Sequence, residues 1–242
     1  MRRILIAAFV LTIAFGLTIA AKLSGCSKNA DAPTSTAGPA VTAQTAAPAS
    51  SPGQAPPMSA ELAARLIREH SPVIGPANAR VTIVEVLDPA CEGCAAFAPI
   101  VHGILFVHPE DVKVVIRFAA FHQGSDEAVR LLEAARLQGK FEPVLDALFS
   151  RQGEWASHES PNIAQIWKIA ADVGLDIPRA RKYAATPRVD EILRVEKDDT
   201  IALRVAQTPT FFVNGRPMLE FGSQQLKALV ESELERTKPA AP

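Results

Sequence analysis

Val81-Thr82-Ile83-Val84-Glu85-Val86-Leu87-Asp88-Pro89-Ala90-Cys91-Glu92-Gly93-Cys94 joins two unlike patterns within fourteen positions. Its first half is a β-branched run broken only by Thr82 and Glu85, which suits a central strand buried on both faces. Asp88-Pro89 ends that run. A helix is expected to start at the cysteines and to continue through Phe97, Ile100, Val101 and Leu105. Cys91 would then stand at a helix N-terminus, where unpaired backbone N–H groups and the helix dipole stabilise a thiolate. The thiolate is the attacking species in disulfide exchange. Cys94, one turn later and less exposed, can attack the mixed disulfide and release the substrate. Such a cycle needs no cofactor beyond the redox-active Cys91–Cys94 disulfide itself.

The spacing also fits half of a zinc site or a structural disulfide. A structural zinc takes four ligands, and no second C-x-x-C or spaced histidine pair is present, so no metal is expected. His70, His102, His108, His122 and His158 are scattered and read as surface or hydrogen-bonded side chains. A structural disulfide stays open, because oxidised cysteines are common in exported proteins. It would close a very small loop and so gain little from chain entropy. With 25 basic and 26 acidic residues, the chain has no charge excess that would call for nucleic acid as a partner.

Downstream, residues 112–118 read as a second buried strand, and a long helical stretch follows. Val129, Leu132 and Ala135 share a face. So do Phe141, Val144, Leu145, Leu148 and Phe149, and then Ile163, Ile166, Trp167, Ala170 and Val173. Trp155 and Trp167 are expected in the core, not in a ligand box. Thr186-Pro187 makes a helix start, cap then proline, for a helix running to about Ala206. Residues 210–213 form a strand, Asn214-Gly215 is a hairpin turn, and residues 216–220 return. Residues 223–235 close the domain as an amphipathic helix. Upstream, residues 59–69 give a short helix with Ser59 as its N-cap.

The N-terminus has a different character. Arg2 and Arg3 precede an apolar and small-residue run over residues 4–21, closed by Lys22. A basic start with an apolar run is an export signal. The run also reaches the 17–25 residues or so that span a bilayer, and the arginines would keep its start cytoplasmic. Leu23-Ser24-Gly25-Cys26 is similar to a bacterial lipobox, although Lys22 directly before it departs from that pattern. Residues 1–27 are therefore read as a signal anchor or a lipoprotein signal, with Cys26 the site of lipidation in the second case. Either way the chain is tethered on the periplasmic side of a bacterial membrane. Residues 28–57 are rich in Ala, Pro, Ser and Thr and cannot bury enough surface to order, so they read as a disordered linker. It would span roughly 30 Å as a coil and about 90 Å extended. Residues 58–238 form the folded domain, an α/β sheet with a helical insertion.

A strand, a C-x-x-C at a helix start, a helical insertion and Thr208-Pro209 before the hairpin strand together resemble the DsbA-like thiol:disulfide oxidoreductases of the thioredoxin superfamily, over residues 73–234. The resemblance implies a thioredoxin-like fold with Cys91 as nucleophile and Cys94 as resolving cysteine. It implies a cis-proline at Pro209, beside the disulfide, holding Thr208 where its backbone pairs with a bound substrate strand. Glu85 falls where the superfamily often keeps a buried acid, which could take a proton from Cys94 through water; burial would raise its pKa. The pair departs from the family in Glu92-Gly93, where Pro-His or Pro-Tyr is common, and in Pro89-Ala90 before it. A carboxylate at Glu92 is expected to raise the Cys91 pKa and make the disulfide a weaker oxidant.

The partners implied are thiols and disulfides of exported proteins and a membrane redox partner. The direction of electron flow stays open between oxidase, reductase and isomerase, though no dimerisation domain of the isomerase kind is visible. An alternative of another class is a thioredoxin-like copper carrier or thiol-binding module. Copper would favour a further His or Met beside the pair, and the sequence shows no convincing one.

Overall fold

The computed structural model describes residues 58–239. The expected membrane segment, Cys26 and the linker lie outside the described residues. Among those described, no helix is long and apolar enough to cross a membrane.

Five strands form one mixed sheet: β1 (Val73–Ile74), β2 (Val81–Leu87), β3 (Val112–Phe118), β4 (Thr210–Val213) and β5 (Arg216–Pro217), in the order β1-β3-β2-β4-β5. Only β2 and β3 run parallel. The two long strands have the bounds that their β-branched runs predict. With β3 on one side and β4 on the other, β2 is the centre, and Glu85 lies opposite Ile116 and Phe211. The period-two alternation of the strand divides its side chains between two cores. Val81, Ile83 and Leu87 join the larger cluster, and Val84 and Val86 the smaller one with Leu66, Val115 and Phe212. Glu85 shares the face of Ile83 and Leu87.

The helices are α1 (Ala60–Leu66), α2 (Glu92–Val107), α3 (Ser125–Arg136), α4 (Phe141–Ser150), α5 (Ile163–Asp172), α6 (Ile177–Ala184), α7 (Pro187–Ala202) and α8 (Ser223–Arg236). The insertion comprises α3 to α6. Its hub is α3, whose Ala128, Val129, Leu131, Leu132, Ala134 and Ala135 are all buried. Trp155 and Trp167 are buried as expected, with Trp155 donating its indole N–H to the Leu148 carbonyl at 3.0 Å. The structure adds β1 and α6, which the sequence reading did not single out.

Four details differ from expectation. Helix α1 ends at Leu66, short of Glu69. Helix α7 stops at Ala202 because Arg204 adopts a left-handed conformation (φ 55°), and the N–H groups of Arg204 and Val205 return to the carbonyls of Ile201 and Thr200. That is a Schellman end with arginine where glycine is usual. The Thr186 hydroxyl does not cap α7; it donates to the Tyr183 carbonyl instead. The returning hairpin strand is only Arg216–Pro217, since Pro217 has no N–H to extend the ladder. The turn itself is as read, with Asn214 and Gly215 both at positive φ. Asn214 also accepts from the Thr82 N–H and donates to Glu233 of α8, tying the turn to β2 and to the last helix.

Candidate active site

The sheet delivers the cysteines to the C-terminal end of its central strand. Cys91 is the N-cap of α2, and Cys94 is fully buried in the first turn. Both are free thiols. Thr208-Pro209 is a cis peptide bond, and the Cys91 Sγ lies 3.2 Å from the Thr208 carbonyl oxygen, to which it donates as a thiol. A Cβ built on Gly93 would meet the Pro209 ring at 3.3 Å and the Cys91 sulfur at 3.5 Å. Gly93 therefore leaves room for the proline to close over the pair. The structure thus gathers Cys91, Cys94, Gly93, Thr208 and Pro209 in one place.

The two thiols are sharply differentiated. Cys91 is pulled down to about 5, chiefly by a hydrogen bond from the Cys94 thiol. Burial opposes this, while the Thr208 side chain and the backbone N–H groups of Cys94 and Gly93 assist. Cys94 moves strongly upward, because it donates to Cys91 and because it is buried, and the Asp88 N–H pointing at its sulfur (3.4 Å) only partly counters this. One sulfur is built to carry charge and the other to hold its proton.

Glu92 does not act as its sequence position suggests. Its carboxylate turns outward and pairs with His158 Nε2 at 2.8 Å, with both side chains well exposed. The expected upward shift of Cys91 is therefore corrected to a downward one. A neighbour in sequence that is solvated and paired counts for less than donors in direct contact.

Glu85 is buried, and desolvation raises it to about 8. Its charge is the last of the influences that push Cys94 upward, so the acid lies within electrostatic reach of that sulfur. No hydrogen bond from a described residue reaches its carboxyl.

Sequence reasoning missed a second layer. Asp88, read only as the end of a strand, is completely buried and accepts five hydrogen bonds. Its Oδ1 takes the Ala90 N–H and the Ser125 hydroxyl. Its Oδ2 takes the Phe121 N–H, the His122 N–H and the His122 Nδ1, at 2.8–2.9 Å. The ring of His122 meets that of His158 edge-on at 5.7 Å. From the insertion, buried Gln152 donates to the carbonyls of Pro89 and Cys91 at 3.0 and 3.1 Å. An aspartate three residues before the first cysteine was the one visible signal. The histidines come from connecting segments and the glutamine from a short 3-10 helix (Gln152–Glu154), all far along the chain, and nothing local marks them.

A family model described as thioredoxin matches residues 68–232. Among solved structures, the thioredoxin-like oxidoreductase from Silicibacter pomeroyi DSS-3 is 28% identical, covers 73% of this chain and 96% of its own, and gives a TM-score of 0.60. BdbD from Bacillus subtilis (23% identity, 69% and 94% coverage, TM-score 0.62) and α-DsbA1 from Wolbachia pipientis (14%, 73% and 96%, 0.64) share the fold. A curated relative, the Na(+)/H(+) antiporter NhaA of Herminiimonas arsenicoxydans, is 32% identical over 167 residues, 68% of this chain and 26% of that protein. The chain thus spans about a quarter of the length of the curated relatives it matches. The matched segment contains the central strand, the cysteine pair, the inserted helices and the cis-proline, and by that correspondence the chain belongs to the thioredoxin family, with the fold of its DsbA-like members.

Proposed function

We propose that this protein is a thiol–disulfide oxidoreductase that exchanges disulfides with exported proteins through Cys91 and Cys94, tethered by its N-terminus on the periplasmic side of a bacterial membrane. The observation that carries this reading is the placement of the two sulfurs: Cys91 caps α2 with its Sγ 3.2 Å from the carbonyl of the cis-bonded Thr208, and Cys94 is fully buried behind it, an arrangement that lowers the Cys91 thiol and makes Cys94 hold its proton. The Cys91 thiolate attacks a substrate disulfide, and the Cys94 thiolate then resolves the mixed disulfide. Glu85, within electrostatic reach, is suited to take the Cys94 proton through water, because an acid near 8 exchanges protons at neutral pH. Thr208, next to Pro209, offers its backbone to an extended substrate segment.

A stabilised thiolate favours the reduced pair, so the disulfide belongs toward the oxidising end of its class. Equilibration in glutathione buffers with thiol trapping tests this. A reversible transition within roughly −120 to −270 mV supports catalysis, and a pair still oxidised below about −300 mV would make the disulfide structural. Cell fractionation tests the tether: the full chain should sediment with membranes, and a form starting at Met58 should not.

The metal-carrier reading gains His122 and His158 near the pair, but one nitrogen of each is taken by Asp88 and Glu92. Among the described residues the one cluster of three potential ligand atoms within 4.8 Å is His102, Glu142 and Asp146, which contains no cysteine. The geometry favours exchange over metal transport.

A further inference from the structure

Nothing in the exchange cycle above uses His122, yet the fold invests a buried carboxylate in holding it. Asp88 fixes both its backbone N–H and its Nδ1. With Nδ1–H donating to a carboxylate, Nε2 is left as the free protonation site, and no described residue hydrogen-bonds it. Asp88 also ties the ring to the cysteine pair, since its own N–H points at the Cys94 sulfur and its carbonyl accepts the Cys91 N–H. The titratable groups whose charge reaches the ring come from three elements. Asp88 comes from the turn after β2, Cys91 and Glu92 from the start of α2, and His158 from the loop before α5, edge-on to the ring.

We propose that His122 is a positioning residue for the redox centre: it takes up a proton when the Cys91–Cys94 disulfide is reduced, and its positive charge then balances the Cys91 thiolate. The inference rests on the oxidoreductase reading. In the step itself, two glutathione thiols deliver two electrons, the Cys91–Cys94 S–S bond breaks, and glutathione disulfide forms with release of two protons. Cys94 binds one of them as its thiol. Cys91 remains a thiolate, and the second proton goes to His122 Nε2. Burial works against a charge on His122, but the Asp88 hydrogen bond and the charges on Asp88, Cys91 and Glu92 more than offset it and raise its pKa. Oxidation removes the Cys91 charge and with it part of that support. The bond to Asp88 keeps the ring in place in both states, so the response is electrostatic and needs no rearrangement.

The sign follows from the linkage. A base whose pKa is higher in the reduced protein favours reduction fully below its oxidised-state pKa, and the preference is lost as pH rises through its reduced-state pKa. The test uses the full chain, with the His122 ring followed by NMR titration in the dithiol form and in the disulfide form. The expected result is a higher midpoint in the dithiol form. His122→Asn keeps a donor to Asp88 and removes the charge. It should lower the equilibrium constant for reduction by glutathione about threefold or more at a pH below the disulfide-form midpoint, and leave it unchanged at a pH well above the dithiol-form midpoint, both midpoints being those the titration gives. Equal midpoints in the two forms would overturn the proposal, and so would a substitution effect that is the same at both pH values, which marks a purely structural role. The wild-type titration decides the matter even if the variant fails to fold. A pair that does not exchange with glutathione would instead remove the oxidoreductase reading, and the His122 midpoints can still be compared after chemical oxidation.

Discussion

Cys91 accepts from the Cys94 thiol and from two backbone N–H groups, and these contacts should show in its reactivity. Alkylation by iodoacetamide, followed by mass spectrometry, should be half-maximal near pH 5, against about 8.5 for an unperturbed thiol. A midpoint above about 7.5 would contradict the site as described. Glu85 makes the opposite case, an acid raised by burial to about 8. The folded chain holds that proton while the unfolded chain loses it above the usual carboxyl range, so stability falls as pH rises toward 8 and levels off beyond. Glu85→Gln should remove that slope and stabilise the fold at pH 7 by about 2–3 kcal/mol in urea unfolding, while slowing the release of mixed disulfides. An unchanged pH slope would show that Glu85 is not the buried acid. Both cysteines and Glu85 could be read from the strand–turn–helix pattern because spacing along one local segment sets their environment. His158 and Gln152 could not, since they reach the site only from the insertion, nor could His122, which meets Asp88 from the connection that follows β3. Glu92 misled for the same reason: its partner, His158, arrives from that insertion.

Beneath the sheet, the face opposite the cysteines is tied by charge as well as by apolar packing. Arg117 of β3 is almost fully buried and bonds Glu196 and Asp199 of α7 at 2.9–3.1 Å. Glu196 also holds His70 (2.6 Å) and the Phe118 N–H (2.9 Å), and Asp199 holds Arg65 and Arg68. Removing one member leaves buried charge uncompensated. Glu196→Ala should therefore cost about 3–5 kcal/mol, read as a lower urea midpoint with an unchanged slope. A loss below about 1 kcal/mol would mean that water repairs the gap. The sequence shows β2 and β3 to the residue because β-branched runs between turn residues leave little choice of bounds. It overruns α7 because a left-handed arginine carries no compositional mark. It misses β1, since two residues joined to β3 by tertiary pairing have no periodicity to detect.

For the whole molecule, the redox state and the stability of the fold are one linked equilibrium. The reduced protein gains stability from a Cys91 thiol whose folded pKa lies below its unfolded one, and this gain is lost as pH falls through about 5. Between pH 4 and pH 6.5 the reduced form should therefore gain on the oxidised form by roughly 1–2 kcal/mol, measured by parallel urea titrations of the two. A constant difference would argue against a native thiolate. The disulfide closes a short loop and adds its own pH-independent share, so the slope carries the information and the sign at any one pH does not. The inserted helices belong to the same accounting through one amide. Gln152 reaches from the insertion to the carbonyls of Pro89 and Cys91; the Cys91 carbonyl also takes the Ala95 N–H of α2, while Pro89 has Gln152 as its donor among the described residues. Trimming the chain to a minimal sheet-and-two-helix scaffold would strand the Pro89 acceptor at the reactive loop and leave the Cys91 carbonyl with the helix bond alone. An engineer paring this protein down, or lineages trading insertions of different size, must supply a substitute donor there or carry loop and insertion together as a single heritable module.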